Sequence, residues 1–220
     1  VFCLGELSGF AAVIGIYLDE RNAPACNKII RKECSHILAG NHDLHAVKKL
    51  PTVKSMYEYP EDWYQLDYHQ RAAISGGKVW LYDHHELDPL YRNEDLEFVR
   101  SLPETAIFAN GQNRILLSHY LHPNLAGDSV SPIHLYDLGF KSHYKYMRSK
   151  ECQIAFVGHM HYPGLFVSRE GLEIRRGFGK IIKLREPAVV MVPAVARGFN
   201  KSGLILFDTE TLEVEARRIK

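Results

Sequence analysis

The chain has 220 residues, 46% apolar and 24% charged, with a formal net charge of +1 at neutral pH. That length and apolar content fit one large folded domain and exclude a disordered, collagenous or coiled-coil chain. The near-zero charge leaves no broad field for a polyanion, which excludes bulk nucleic-acid binding, and no apolar run approaches the roughly 18 residues a membrane span needs.

In chain order, Val1–Leu4 reads as a short buried strand stopped by Gly5-Glu6. The sequence opens inside this run without Met, so a preceding strand and motif are expected upstream. Pro24 at a first helical position opens a helix through Arg31, and Ile37-Leu38 forms a second strand. Pro60-Glu61-Asp62 opens a helix to about Ala73, inside a tyrosine-rich and charged stretch, 55–95, that reads as an inserted lid or wall. Asn93 with Glu94 and Asp95 has N-cap chemistry for a helix to Ser101. Next come a third strand at Ile115–Leu117, a helix over Leu135–Ser149 and a fourth strand at Ile154–Val157. Beyond Pro163 the short runs 165–167, 172–174, 181–184, 189–192, 204–207 and 214–217 predict hairpins. Strand alternating with helix predicts an α/β fold with a largely parallel sheet in front and a β-rich back. No flexible linker divides them, so residues 1–220 are expected to form a single domain.

The chemistry lies in the residues at the end of each buried run: Gly5-Glu6, then Gly40-Asn41-His42-Asp43, then His119, then Gly158-His159-Met160-His161. In a parallel sheet these positions share the carboxyl edge, where open α/β folds bind ligands. The 12 histidines are many for this length, and imidazole is the commonest metal ligand. Oxygen and imidazole donors without thiolate suit Mn, Fe, Zn or Ni in a catalytic site better than a structural zinc clip. His159 and His161, two apart, face one side of an extended backbone. Gly40 and Gly158 are expected to let the chain turn sharply into the ligand clusters. Four cysteines without a C-x-x-C pair point to reduced thiols and a cytoplasmic protein.

These motifs, in this order from Gly5 to Pro163, resemble the calcineurin-like metallophosphoesterases, with their G-D, G-N-H-[DE], H and G-H-x-H series, and specifically the bacterial branch of small phosphoesterases. The resemblance implies a four-layer α-β-β-α sandwich of two mixed sheets with flanking helices, carrying the metal site at the strand carboxyl ends. It implies two divalent ions and a phosphate-ester substrate, a monoester or diester cleaved by a metal-bridged hydroxide. Asn41, His119 and His159 would hold the second ion, His161 the first, and Glu6 would stand at the bridging aspartate. His42 would meet the leaving group with Asp43 as its orienting partner, and His122 would line the substrate pocket. A homo-oligomer is compatible with all of this. The family's D-x-H is absent before Gly5, and Glu6 is one methylene longer than aspartate. Both departures favour an alternative, a metallophosphoesterase-fold scaffold that binds a protein partner with weakened hydrolysis. His36, His45, His69, His84, His85, His134 and His143 are expected at the surface or on helices without a role, Arg114 and Arg197 in surface pairs, and Asp128 in a turn.

Overall fold

The computed structural model describes residues 1–11, 22–53, 57–111, 113–130, 138–170, 172–196 and 201–219. Leu135, His134 and Arg197 lie outside them. The chain divides into two compact units, the first 1–104 with 123–132 and the second 105–122 with 133–220.

In the first unit, β1 (Phe2–Cys3) pairs in parallel with β3 (His36–Ile37), and β2 (Phe10–Ala11) runs antiparallel to β4 (Glu86–Leu87). The parallel pair puts Gly5-Glu6 and Gly40-Asn41 past the same end of one small sheet. Helix α1 (Ala23–Glu33) has Pro24 in its first turn and Asn22 as its cap, whose side chain accepts from the Ala25 N–H at 3.1 Å. Helix α2 (Asn41–Ala46) begins directly at the G-N-H-D motif. The helix expected from Pro60 starts later: residues 61–65 are turns, and α3 is Tyr68–Ser75. The reason is the Asp67 capping box, in which Asp67 and Gln70 each accept the other's backbone N–H at 2.9 Å. Helix α4 (Asn93–Ser101) has the expected bounds, but its cap is Arg92, whose N–H donates to Asp95 at 3.2 Å. Leu7, Ala39, Leu44, Val47, Val99, Leu102 and Ala126 pack into this unit's core.

The second unit is built on a six-stranded sheet in the order β5-β6-β7-β11-β8-β9. The strands are β5 (Thr105–Asn110), β6 (Asn113–Ser118), β7 (Ile154–Val157), β8 (Leu165–Arg169), β9 (Leu172–Arg176) and β11 (Ala188–Met191). Only the β6–β7 and β7–β11 pairings are parallel, so the sheet is mixed where alternating strand and helix predict a largely parallel one. Two hairpins and the antiparallel β8–β11 pairing cause this. β5 turns back onto β6 through Gly111 at φ +59°, and β8 turns back onto β9. β7 and β11 are buried at every position, as strands covered on both faces must be. A separate three-stranded sheet has the order β10 (Ile181–Lys183), β13 (Glu213–Arg218), β12 (Gly203–Phe207). All six runs after Pro163 are therefore strands, and the class is mixed α/β. Among the described residues the four cysteines are free, and no helix is long and apolar enough to cross a membrane.

Helix α5 (Leu138–Ser149) packs Phe140, Tyr144 and Met147 against Leu116, Ala155, Val157 and Phe166. His143 on this helix is buried, not superficial, at 0% exposure. Its Nδ1 accepts the His122 N–H at 3.0 Å, and its Nε2 has no hydrogen-bond partner among the described residues. Burial, and secondarily the nearby His122, pushes its pKa down from 6.5 to about 3. The folded state thus refuses a proton that the unfolded chain takes up below pH 6.5, so stability is present above that value and falls as pH drops toward 3. The expected loss across this window is roughly 4–5 kcal/mol. Urea midpoints measured from pH 7 to pH 3 should fall less steeply for His143→Asn, which retains an acceptor near Nδ1; parallel curves would refute this.

Candidate functional site

Each unit carries one group of candidate residues. In the first, Gly5 has φ +100°, and a Cβ there would lie 2.5 Å from the Gly40 nitrogen. Only glycine lets these two motif backbones touch. Gly40 itself has φ −100° and ψ −178°, extended backbone open to any residue, and Gly158 is not among the positive-φ glycines. Next to Gly40 the left-handed residue is Gly5, and after Gly158 it is His159, at φ +61°.

Asp43 is fully buried and serves as a backbone anchor. Its Oδ2 accepts the N–H of Glu6 at 2.7 Å and of Gly40 at 2.9 Å. Its Oδ1 accepts the N–H of Leu7 at 2.8 Å, and the N–H and Oγ–H of Ser8, both at 3.1 Å. The orienting contact to His42 comes instead from Glu86, whose Oε1 meets His42 Nδ1. His42 Nε2 lies 3.6 Å from Glu6 Oε1, and the Gly9 backbone packs under the ring, where a Cβ would sit 3.0 Å from its Cγ. Burial alone would depress the His42 pKa; the hydrogen bond to Glu86 and the charges of Glu86, Glu6 and Asp43 outweigh it and raise the value. Asn41 Nδ2 donates to Tyr82 Oη at 2.8 Å, and the Tyr82 ring lies 5.0 Å from that of His42 and 4.7 Å from that of His45. Burial pushes the Tyr82 hydroxyl well above its usual range, so it stays neutral. Glu86 and Tyr82 are not among the residues that sequence reasoning singles out.

The aromatic stretch after residue 56 forms a cluster in which the Tyr59 ring lies 4.9 Å from Tyr57 and 5.0 Å from Trp63. Asp128, a turn residue by expectation, is buried and accepts from Tyr59 Oη at 2.6 Å.

In the second unit, β6 and β7 run parallel in register Ser118↔Val157, so His119 and Gly158-His159 leave one sheet edge side by side. The Gly158 N–H donates to the His119 carbonyl at 2.9 Å. His119 is buried, and its Nε2 lies 3.3 Å from His159 Nδ1. Tyr120 backs the His159 ring at 4.5 Å. Two imidazole nitrogens bound to one ion at about 2.0–2.2 Å stand about 2.8–3.6 Å apart in tetrahedral or octahedral coordination, so this donor pair fits a divalent metal.

Three of the candidate ligands share an uncommon backbone conformation. Seven non-glycine residues among those described have positive φ, and three of them are Glu6 at 61°, His159 at 61° and His161 at 49°. Such conformations cost on the order of 1–3 kcal/mol each and persist where the surrounding structure over-determines them. His122, expected at the substrate, is tied to α5: Nδ1 contacts Ser142 Oγ at 2.8 Å, and the ring stacks on Tyr146 at 4.7 Å.

Residues 4–163 match the calcineurin-like phosphoesterase family, and the chain belongs to it. Its fold is similar to that of a metallophosphoesterase from Sphaerobacter thermophilus, with 14% identity over 100% of this chain and 77% of that one and a TM-score of 0.61. It is also similar to a hypothetical protein from Pyrococcus horikoshii, with 17% identity over 100% and 74% of the two chains and a TM-score of 0.53. No curated protein matches it. The family is one of metal-dependent phosphoesterases.

Proposed function

We propose that the chain is a cytoplasmic hydrolase that cleaves phosphomonoesters or phosphodiesters using two divalent ions, Mn, Fe, Zn or Ni. The observation that carries this reading is the pair of imidazole nitrogens of His119 and His159, 3.3 Å apart at one strand edge and spaced for a shared cation. By the family resemblance, Asn41, His119 and His159 would hold one ion and His161 the other, with Glu6 contributing a carboxylate. Bound divalent ions supply water activation and charge neutralisation, the two things hydrolysis of a phosphate ester needs. His42 has its Nδ1 committed to Glu86, which leaves Nε2 as the atom that delivers a proton to the leaving oxygen. Asp43 acts one step removed, by holding the Glu6–Ser8 backbone against the start of α2.

Glu6 in the bridging place favours a second reading, a scaffold with weakened hydrolysis, and one experiment decides. The full chain is stripped with chelator, reloaded with Mn²⁺, and assayed on p-nitrophenyl phosphate and bis(p-nitrophenyl) phosphate. Hydrolysis of at least one, lost with chelator and restored by Mn²⁺, is expected. A metal-loaded protein inert on both overturns the enzyme reading in favour of the scaffold.

A further inference from the structure

We infer that Tyr120, one residue past His119, is a positioning residue whose ring holds the His159 imidazole beside that of His119. The inference rests on the proposed metal role of the two histidines and adds a residue that the motifs do not contain. The backbones at this sheet edge are already tied together. The Gly158 N–H donates to the His119 carbonyl at 2.9 Å, the Met160 N–H to the Gly158 carbonyl at 2.7 Å, and the Ser118 hydroxyl to the Tyr120 carbonyl at 2.8 Å. The Met160 side chain packs against the core cluster that includes Tyr120. What is left to set is rotation of the two imidazole side chains.

The two rings differ in how far burial sets it. His119 is 2% exposed, and close packing around it leaves no room for another rotamer. His159 is half-buried, so it needs a specific neighbour to confine it. Tyr120 is that neighbour: the two ring centroids lie 4.5 Å apart with planes tilted by 48°, and Tyr120 itself is buried in the core cluster with Leu116 and Val157. The His119 ring meets His159 edge-on at 5.2 Å and 81°. The aromatic contact with Tyr120 sets where the imidazole lies and leaves the choice of nitrogen to the ion. A ring placed in advance spares the ion the cost of ordering it, which raises affinity without a new bond to the metal.

The test compares Tyr120→Leu, which removes the ring, with Tyr120→Phe, which keeps it. Calorimetric titration of Mn²⁺ into the chelator-stripped full chain should give a Kd roughly fivefold weaker for the leucine form and within about twofold of wild type for the phenylalanine form. Phe140→Leu, a truncation in the same core cluster whose ring lies on Phe166, controls for loosening of the core: its thermal midpoint should fall while its Kd stays that of wild type. Should Tyr120→Leu not fold, Tyr120→Met fills more of the space without an aromatic ring and is held to the same fivefold loss. Wild-type Mn²⁺ affinity in the ring-less form overturns the inference, as does an equal loss in Phe140→Leu. A wild type that takes up no Mn²⁺ overturns the metal reading itself, a result distinct from either of these.

Discussion

Replacing His159 by alanine is expected to lower metal-dependent phosphoester hydrolysis by on the order of 100-fold or more, a larger loss than removing a second-layer partner causes. On the proposed reading, His159 Nδ1 and His119 Nε2, 3.3 Å apart, would chelate a cation only as a pair. With one ring gone, the remaining imidazole is a single donor whose affinity for a divalent ion is far weaker. Alanine carries a confounding cost, because the residue sits at φ +61° and a left-handed conformation disfavours most side chains by roughly 1–2 kcal/mol. The companion variant His159→Asn addresses this, since asparagine visits that conformation readily but lacks the imidazole. Both variants should lose activity and bound metal together, while the asparagine form keeps the wild-type thermal midpoint more closely. Wild-type turnover in His159→Asn would show that the ring is not a ligand.

The strands that carry these residues were legible because they are buried on both faces and write themselves as continuous apolar runs, such as Ile154–Val157. Helices α1 and α4 were legible through Pro24 and the acidic first turn after Asn93. Helix α2 was not, because Asn41–Ala46 is too short to show a period and its composition serves the site instead of a core face. β5 was not legible either, because it is a half-exposed edge strand without a continuous apolar run.

For the site, residue types at strand ends named Glu6, Asn41, His42, His119, His159 and His161 as chemistry-bearing. Their partners were hidden. Glu86 reaches His42 because β4 pairs with β2 in the register Ala11↔Glu86, a contact 44 residues away in sequence from His42 that no local pattern encodes. Tyr82 is one tyrosine among several in its segment until the fold brings it to Asn41. Asp43 shows the opposite case, in which the motif residue is legible but its task is not. Adjacent to His42 in sequence, it binds the backbone N–H groups of Gly40 and of the distant segment Glu6–Ser8.

That task gives Asp43→Asn a large expected effect on stability, about 3 kcal/mol of the 5–15 typical of a folded domain. The carboxylate is fully buried and accepts five hydrogen bonds, two on Oδ2 and three on Oδ1. Asparagine has one acceptor oxygen and one donor nitrogen. If nitrogen replaces Oδ2, the Glu6 and Gly40 amides face a donor; if it replaces Oδ1, Leu7 and Ser8 do. Either way at least two buried N–H groups lose their acceptor, at roughly 1–3 kcal/mol each, partly relieved by local rearrangement. Because the same bonds hold Gly5 against Gly40, the damage should be local before it is global. Amide hydrogen exchange at Glu6, Leu7 and Ser8 should accelerate well beyond the drop in the urea midpoint, while β7 and β11 keep their protection relative to global unfolding. A variant with wild-type midpoint and slow exchange at those three amides would mean that the carboxylate's second oxygen contributes nothing to the loop, and the anchoring role assigned to Asp43 would fall.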